Sequence, residues 1–586
     1  MADTRRAVLA GLAAVGAGAA LGPAVRAARR GLHDPDLGPN VVVFDPSTPR
    51  EEMQARLDGI FRQQERAHFT DRRFAVLFKP GRYRADVNVG FFTQVLGLGA
   101  RPGDATIDGQ VRCEADWNNG MALVNFWRGA ENLEVRPPGG ANRWAVSQAA
   151  PYRRMHVRGD LILDDGGWSS GGFMADCRVD GAVRSGSQQQ WFTRTSALGG
   201  WEGANWNMMF MGVDGAPPMS FPAPPHTSLP SVPAAPEKPF LFVDEAGGWR
   251  VLVPAIRRDA RGVSWVNGRT PGRALPLSRF LVARPEAPVA EINAALARGR
   301  HLLLTPGVYR LPEPIRVARP GTVVLGLGLA TLVAERGGAA LEVADVPGVR
   351  IAGLMIDAGP VLSDVLMRVG PRGARADHRA DPIVLSDIFF RVGGAAVGKA
   401  GTCLEINSRG AIGDHLWIWR ADHGDRDAGR VYVGWDESPG DRGLVVNGDD
   451  VTMLALFVEH FRRYQTLWNG ERGRTFFYQN ELPYDPPNQA AWMAGTTRGW
   501  AAYKVADHVR DHRAIGMGVY AFFPHDPSIV LDSAVEAPRA PNVRFEHVTT
   551  VSLGGGKGTI ARLVNEAGDA ARPGAIRQTL IRYPVP

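Results

Sequence analysis

Short runs in which every second residue is apolar, each closed by Gly, Asp or Asn, recur along most of this chain. ENLEVRP, MHVRGDLILDD and GGFMADCRVDG in the first half share that layout with AALEVADVPGVRIAGLMID, LVVNGDDVTMLALFVEH and VRFEHVTTVSL in the second. Period-two alternation broken by turn residues predicts many short strands. Two longer segments repeat one plan: FAVLFKPGRYRADVNVGFFTQVLGLG (Phe74–Gly99) and HLLLTPGVYRLPEPIRVARPGTVVLGLG (His301–Gly328). Each reads apolar strand, Pro-Gly-x-Tyr turn, alternating strand, then Val-Leu-Gly-Leu-Gly. An amphipathic helix is predicted before each copy, over Glu51–Gln64 with Met53, Leu57, Ile60 and Phe61 on one face, and over Pro288–Arg298 with Ile292, Ala295 and Leu296. A helix that caps an open stack of strands, occurring twice, predicts an all-β chain of two parallel β-helices. The first is expected over residues 40–215 and the second over 286–586. Between them, 216–285 reads as a Pro-rich connector with a β-hairpin in PFLFVDEAGGWRVLVPAI.

Length and composition agree with that layout. At 586 residues the chain is too long for one ordinary core, and its 70 Gly and 43 Pro call for many turns. The formal charge of +7 owes much to Arg5, Arg6, Arg26, Arg29 and Arg30, so it argues for no nucleic-acid partner. Arg5-Arg6 before a weakly apolar Ala/Gly run predicts a twin-arginine signal peptide over 1–27 and a secreted or periplasmic protein. No later run is long enough to span a membrane. Cys113, Cys177 and Cys403 lie far apart without CxxC spacing, and His508 and His512 lack a helical setting. No metal and no cofactor are expected, chelators should leave activity intact, and the protein is expected to be a monomer.

The chemistry concentrates in Asp449–Pro487. Glu459 and Glu481 stand 22 residues apart, each within a predicted strand. One turn of a parallel β-helix takes about that many residues, and adjacent strands lie ~4.8 Å apart, which sets the two carboxylates side by side. Paired carboxylates near Trp468, Tyr478, Tyr484 and Trp492 suit hydrolysis of a sugar linkage. Alternation places Gln479 and Glu481 on one face with Phe477, and Phe457, Glu459 and Phe461 on one face. Trp435, Trp468, Trp492 and Trp500 are candidates for stacking on sugar rings, with burial as the competing account. Arg420, Asp422, His423, Asp425 and Asp427 read as a solvated loop, and Asp485 as support for the turn after Glu481. Two other classes fit a β-helix: a polysaccharide lyase, which would want a basic groove, and a non-catalytic or degenerate carbohydrate-binding protein.

The segments SGSQQQWFTRTS (Ser185–Ser196), NGDDVTMLALFVEHFRRYQTLWNGERGRTFFYQNELPYDPP (Asn447–Pro487) and MGVYAFF (Met517–Phe523) resemble glycoside hydrolase family 55. The resemblance covers essentially the whole mature chain. It implies two tandem right-handed β-helices in a rib-cage arrangement with the site in the cleft between them. It further implies metal-free, inverting and commonly exo-acting hydrolysis of β-1,3-glucan. Glu481 matches the general acid and Glu459 a second acidic residue, while Gln188, Gln189 and Gln190 match polar residues that position water. Ser196, Gln479, Trp468 and Tyr484 complete the expected substrate- and water-positioning set. Carboxylates on adjacent coils can approach to about 5 Å, the separation of retaining enzymes, whereas inversion needs roughly 6.5–9.5 Å.

Overall fold

A computed structural model describes residues 34–425, 429 and 431–585, so the expected signal peptide and Asp427 lie outside the described residues. Two stacks of parallel strands fill most of it. The first has a nine-stranded sheet that begins at Val41–Phe44 and ends at His226–Leu229, backed by an eight-stranded sheet. The second has a twelve-stranded sheet from Phe280–Ala283 to Arg577–Tyr583, again backed by eight strands. Its last strand runs antiparallel to Asn542–Ser552 and closes the sheet. The first stack thus extends past residue 215, and the second begins before 286. Between them lie two small antiparallel sheets, one joining Val232–Ala235 to Arg257–Ala260 and one built from Phe240–Val243, Trp249–Pro254 and Gly272–Pro276.

The repeated Pro-Gly-x-Tyr turn has the same physical role in both stacks. Any β-carbon on Gly81 or Gly307 would lie 2.2 Å from a proline ring, that of Pro46 or Pro285, so only glycine lets the first coil close. The tyrosine two residues on then donates its hydroxyl to backbone carbonyls: Tyr83 to Lys79 at 2.7 Å, and Tyr309 to Ala283 at 2.7 Å and Thr305 at 2.9 Å. Helices Arg50–Gln64 and Val289–Ala297 cover the open ends. Met53, Leu57 and Ile60 are buried on the first, and Val289, Ile292, Ala295 and Leu296 on the second. Phe61 is only half-buried; Gln64 goes inward instead and donates to the Phe91 carbonyl at 2.7 Å.

Each stack has its own apolar interior, and a third apolar cluster joins them. Phe92, Trp127, Phe173 and Phe192 of the first stack meet Phe389, Trp417, Phe457 and Phe477 of the second. Charges are buried in the same seam. Arg153 pairs with Asp387 at 2.8 Å and Asp414 at 2.9 Å, and Arg194 reaches Asp414 and Glu237 at 2.8 Å each. Lys238 bridges Asp387 at 3.2 Å and Glu131, and His415 Nδ1 lies 2.8 Å from Asp387. Each charge has an opposite partner, which is the condition for burying ions at all.

Candidate active site

Strands Thr452–Glu459 and Gly473–Glu481 are parallel neighbours, and Glu459 and Glu481 are register partners. Ala455 and Phe477 adopt positive φ at matched positions, a bend that turns the strand ends toward the first stack. Beyond the bend, Tyr478 points into the interior and Gln479 and Glu481 face the cleft. His460 is also at positive φ, so the alternation breaks there and Phe461 turns into the core. That corrects the expected shared face of Phe457, Glu459 and Phe461.

Glu459 is held from both stacks. Its Oε1 accepts from Gln148 Nε2 at 2.8 Å and its Oε2 from Trp417 Nε1 at 2.9 Å. The same Gln148 nitrogen lies 3.2 Å from Ser170 Oγ. Glu481 accepts a hydrogen bond from the Tyr484 hydroxyl and lies 3.4 Å from Gln479 Nε2. Burial pushes the Glu459 carboxyl well above the ordinary range, and the charge of Glu481 adds to this against the bonds from Trp417 and Gln479. Glu481 is also raised, by burial first, with His460 and Tyr484 opposing and Asp422 assisting. Two carboxyls in this arrangement titrate as a pair.

Around them is a cavity of about 250 Å³, which suits one hexose ring. Phe126 of the first stack and Trp419 and His423 of the second line it. Asp422 lines it too, with His423 Nδ1 at 2.9 Å and His460 Nε2 at 3.7 Å. Burial alone would raise Asp422, but those two imidazoles outweigh it and hold the carboxylate below the usual range. The segment expected to be a solvated loop therefore supplies part of the wall. Behind it, His68 is stacked between Phe69 and Phe91, and burial pushes its imidazole well below the ordinary value.

Of the expected positioning residues, Gln189, Gln479 and Tyr484 are at the site. Gln188 is not: its amide donates to the Val146 and Leu163 carbonyls at 2.8 Å each, inside the first stack. Gln190 is buried behind Ser170 and donates to its carbonyl, one layer removed from the cavity. Ser196 closes a turn, donating to the Arg194 carbonyl at 2.8 Å and accepting from the Cys177 amide at 3.1 Å. Trp468 is wholly inside the second stack against Tyr503 and His512, because it belongs to the opposite, eight-stranded sheet. Trp492 is likewise interior, Trp500 packs on Tyr464, and Trp435 lies beside Arg420 and Arg462. Asp485 pairs with Arg420 at 2.7 Å.

The residues that sequence reasoning missed are Gln148, Ser170, Trp417 and His460. A signal for the first two existed. Gln148 and Ser170 are 22 residues apart, the same coil spacing that aligned Glu459 with Glu481. The three cysteines are free and buried, and no metal-holding group of three or more His, Cys, Asp or Glu occurs among the described residues.

Comparison with known proteins yields close relatives. The LAM55 pectate lyase-like domain family matches residues 280–481. An exo-beta-1,3-glucanase of Streptomyces sp. (strain SirexAA-E / ActE) is 51% identical over 557 residues, covering 94% of this chain and 90% of that protein. The solved structure of sacteLam55A from Streptomyces sp. SirexAA-E superposes with a TM-score of 0.91 at 49% identity, over 94% of this chain and 99% of that one. A variant of that protein, refined in complex with glucose, matches equally.

Proposed function

The chain belongs to glycoside hydrolase family 55, and we propose that it hydrolyses β-1,3-glucan from the chain end, with inversion, releasing glucose. One observation carries this reading: a hexose-sized cavity sets Glu459 and Glu481 opposite Gln148 and Ser170 of the other stack. Exo action is what the exo-beta-1,3-glucanase relative, 51% identical over 94% of this chain, supports.

Glu481 is the general acid. It is half-buried where Glu459 is buried, so it stands nearer the open side where the leaving oxygen lies. Its raised carboxyl keeps a proton available to donate. Water approaches the other face of the ring from the Gln148–Ser170–Glu459 corner, and Glu459 orients it. The resemblance to glycoside hydrolase family 55 implies a water, held at the Gln148–Ser170–Glu459 corner, as the attacking group. That favours inversion over a glycosyl-enzyme route.

The leaving chain passes outward along an aromatic row. Tyr520 is the register partner of Glu481, Trp206 lies 5.1 Å from Tyr520, and Trp168 lies 6.4 Å from Trp206 at the surface. Among the described residues no Lys or Arg lines the cavity, as a uronate lyase would need. The polymer is met outside the cytoplasm, after export directed by Arg5-Arg6, by a protein that acts as a monomer. Early products from laminarin test the reading. Glucose alone, appearing first as the α-anomer by NMR, is expected. A ladder of oligomers would refute exo action, and β-glucose would refute inversion.

A second reading exchanges the two roles, because the stronger upward push falls on Glu459. Leaving-group dependence separates the two. The acid's Gln variant recovers on an activated leaving group, and the water-holder's does not.

A further inference from the structure

His460 is buried at the elbow between the two carboxylate-bearing strands, and its ring is fixed from several sides. Its amide donates to the Glu481 carbonyl at 2.8 Å, its own carbonyl accepts from Arg420 at 3.1 Å, and its edge packs on Tyr484 with ring centroids 4.4 Å apart. Nδ1 lies 3.0 Å from the Leu482 carbonyl. A carbonyl only accepts, so Nδ1 carries the proton of that contact, and Nε2 is the nitrogen turned to the carboxylates. Nε2 points between two carboxylates, 3.7 Å from Asp422 Oδ1 and 3.9 Å from Glu481 Oε2.

We infer that His460 is a positioning residue that sets how readily Glu481 gives up its proton, acting as an imidazolium held in place by Asp422. This rests on the reading of Glu481 as the acid. Among the described titratable groups facing it, only His423 adds charge of the same sign. Tyr484 donates to Glu481, Glu459 is a second carboxyl, Arg420 is neutralised by Asp485, and His423, bonded to the same Asp422 oxygen that His460 approaches, acts on Glu481 less strongly than His460 does. His460 is therefore the cation placed to offset the carboxyl-rich wall. Without it, two neighbouring carboxyls would hold the Glu481 proton too tightly to release it to a glycosidic oxygen. The oxyanion left after donation is met by a charge already in position, which shortens the rise to the transition state. The step balances: the proton goes from Glu481 to the leaving oxygen, and His460 keeps both of its own.

An opposite charge within about 4–6 Å lowers a carboxyl by roughly 1–3 pH units. His460→Gln removes the cation and should move the alkaline limb of kcat/KM on laminarin upward by about one unit or more. With dinitrophenyl β-glucoside, whose leaving group needs no proton, the limb should stay in place. A merely structural role would lower kcat on both substrates and move neither limb. An unmoved or downward-moved limb on laminarin, with the fold intact, overturns the inference. Should that variant fail to fold, imidazole ¹⁵N–¹H correlation on the parent enzyme decides the matter. Nε2 protonated across the active pH range is expected, and a bare Nε2 there is the contrary result. Glu481→Gln keeps the two claims apart. If it stays active on laminarin, the acid assignment fails. If it is inactive while His460→Gln leaves the limb unmoved, only the role of His460 fails.

Discussion

Glu459 and Glu481 occupy one register position on adjacent parallel strands, and the charge of Glu481 raises the proton affinity of the buried Glu459. A fold that sets two carboxylates this close in a buried wall makes them share protons, which is what acid and water-activating roles require of a pair.

Glu481→Gln preserves shape and removes the donor. Activity on laminarin should fall about 10²–10⁴-fold, with a much smaller loss on dinitrophenyl β-glucoside. Retention of more than about a tenth of parent activity on laminarin would remove Glu481 from the acid role.

Glu459→Gln should reduce turnover of both substrates alike, again by about 10²–10⁴-fold, since it acts on water. The same variant should be more stable at neutral pH. A carboxyl raised in the folded state costs the fold free energy above its unfolded value of about 4.3, because folding then disfavours the charged form. Below that value the cost vanishes. Differential scanning calorimetry should find Tm above the parent's at pH 7 and the difference shrinking toward pH 4. A lower Tm at pH 7 would contradict the burial argument.

Trp168 is 46% exposed at the end of the aromatic row. Trp168→Ala should raise KM for long laminarin by a factor of about ten, equivalent to about 1.4 kcal/mol. It should leave laminaribiose unaffected, because a disaccharide does not reach that far. Equal losses on both would place the acceptor path elsewhere.

Asp387→Asn leaves Arg153 and Lys238 buried without their main counter-ion and should cost about 3–5 kcal/mol in denaturant unfolding. The seam also sets an acid limit. At Glu237 burial acts to raise the carboxyl, but Arg194 outweighs it and brings it down to about 2. Asp387 is likewise depressed, with Arg153 and Lys238 overcoming burial. A depressed folded value means stability present above the unfolded value of about 4 and lost as pH falls toward 2. Tm should therefore drop over that interval, and less steeply in Asp387→Asn.

The stacks were legible in the sequence because the cause is local. Gly81 and Tyr83 at one end, and Gly307 and Tyr309 at the other, close their coils with near neighbours. The Glu459–Glu481 pairing was legible because one coil period fixes it. Gln148 was not, since its bond to Glu459 joins residues 311 apart and depends on how two separately formed stacks dock. Trp468 misled because its residue type suits a sugar cleft, while its strand belongs to the sheet that faces away. Asp422 and His423 read as a loop on composition alone, and only the packing of Phe126 and Trp419 around them makes a wall.

Arg153 and Arg194 belong to the first stack, Asp387 and Asp414 to the second, and docking is what buries them. On an undocked stack those ions stay hydrated on the same face as Phe173, Phe192, Phe457 and Phe477. Charges scattered among exposed aromatics keep such a face from self-associating. Closing the seam then strips water from several ions at once, a cost offset only where every pair forms. A chain with undocked stacks lacks Gln148 beside Glu459, so catalytic turnover reports completed docking.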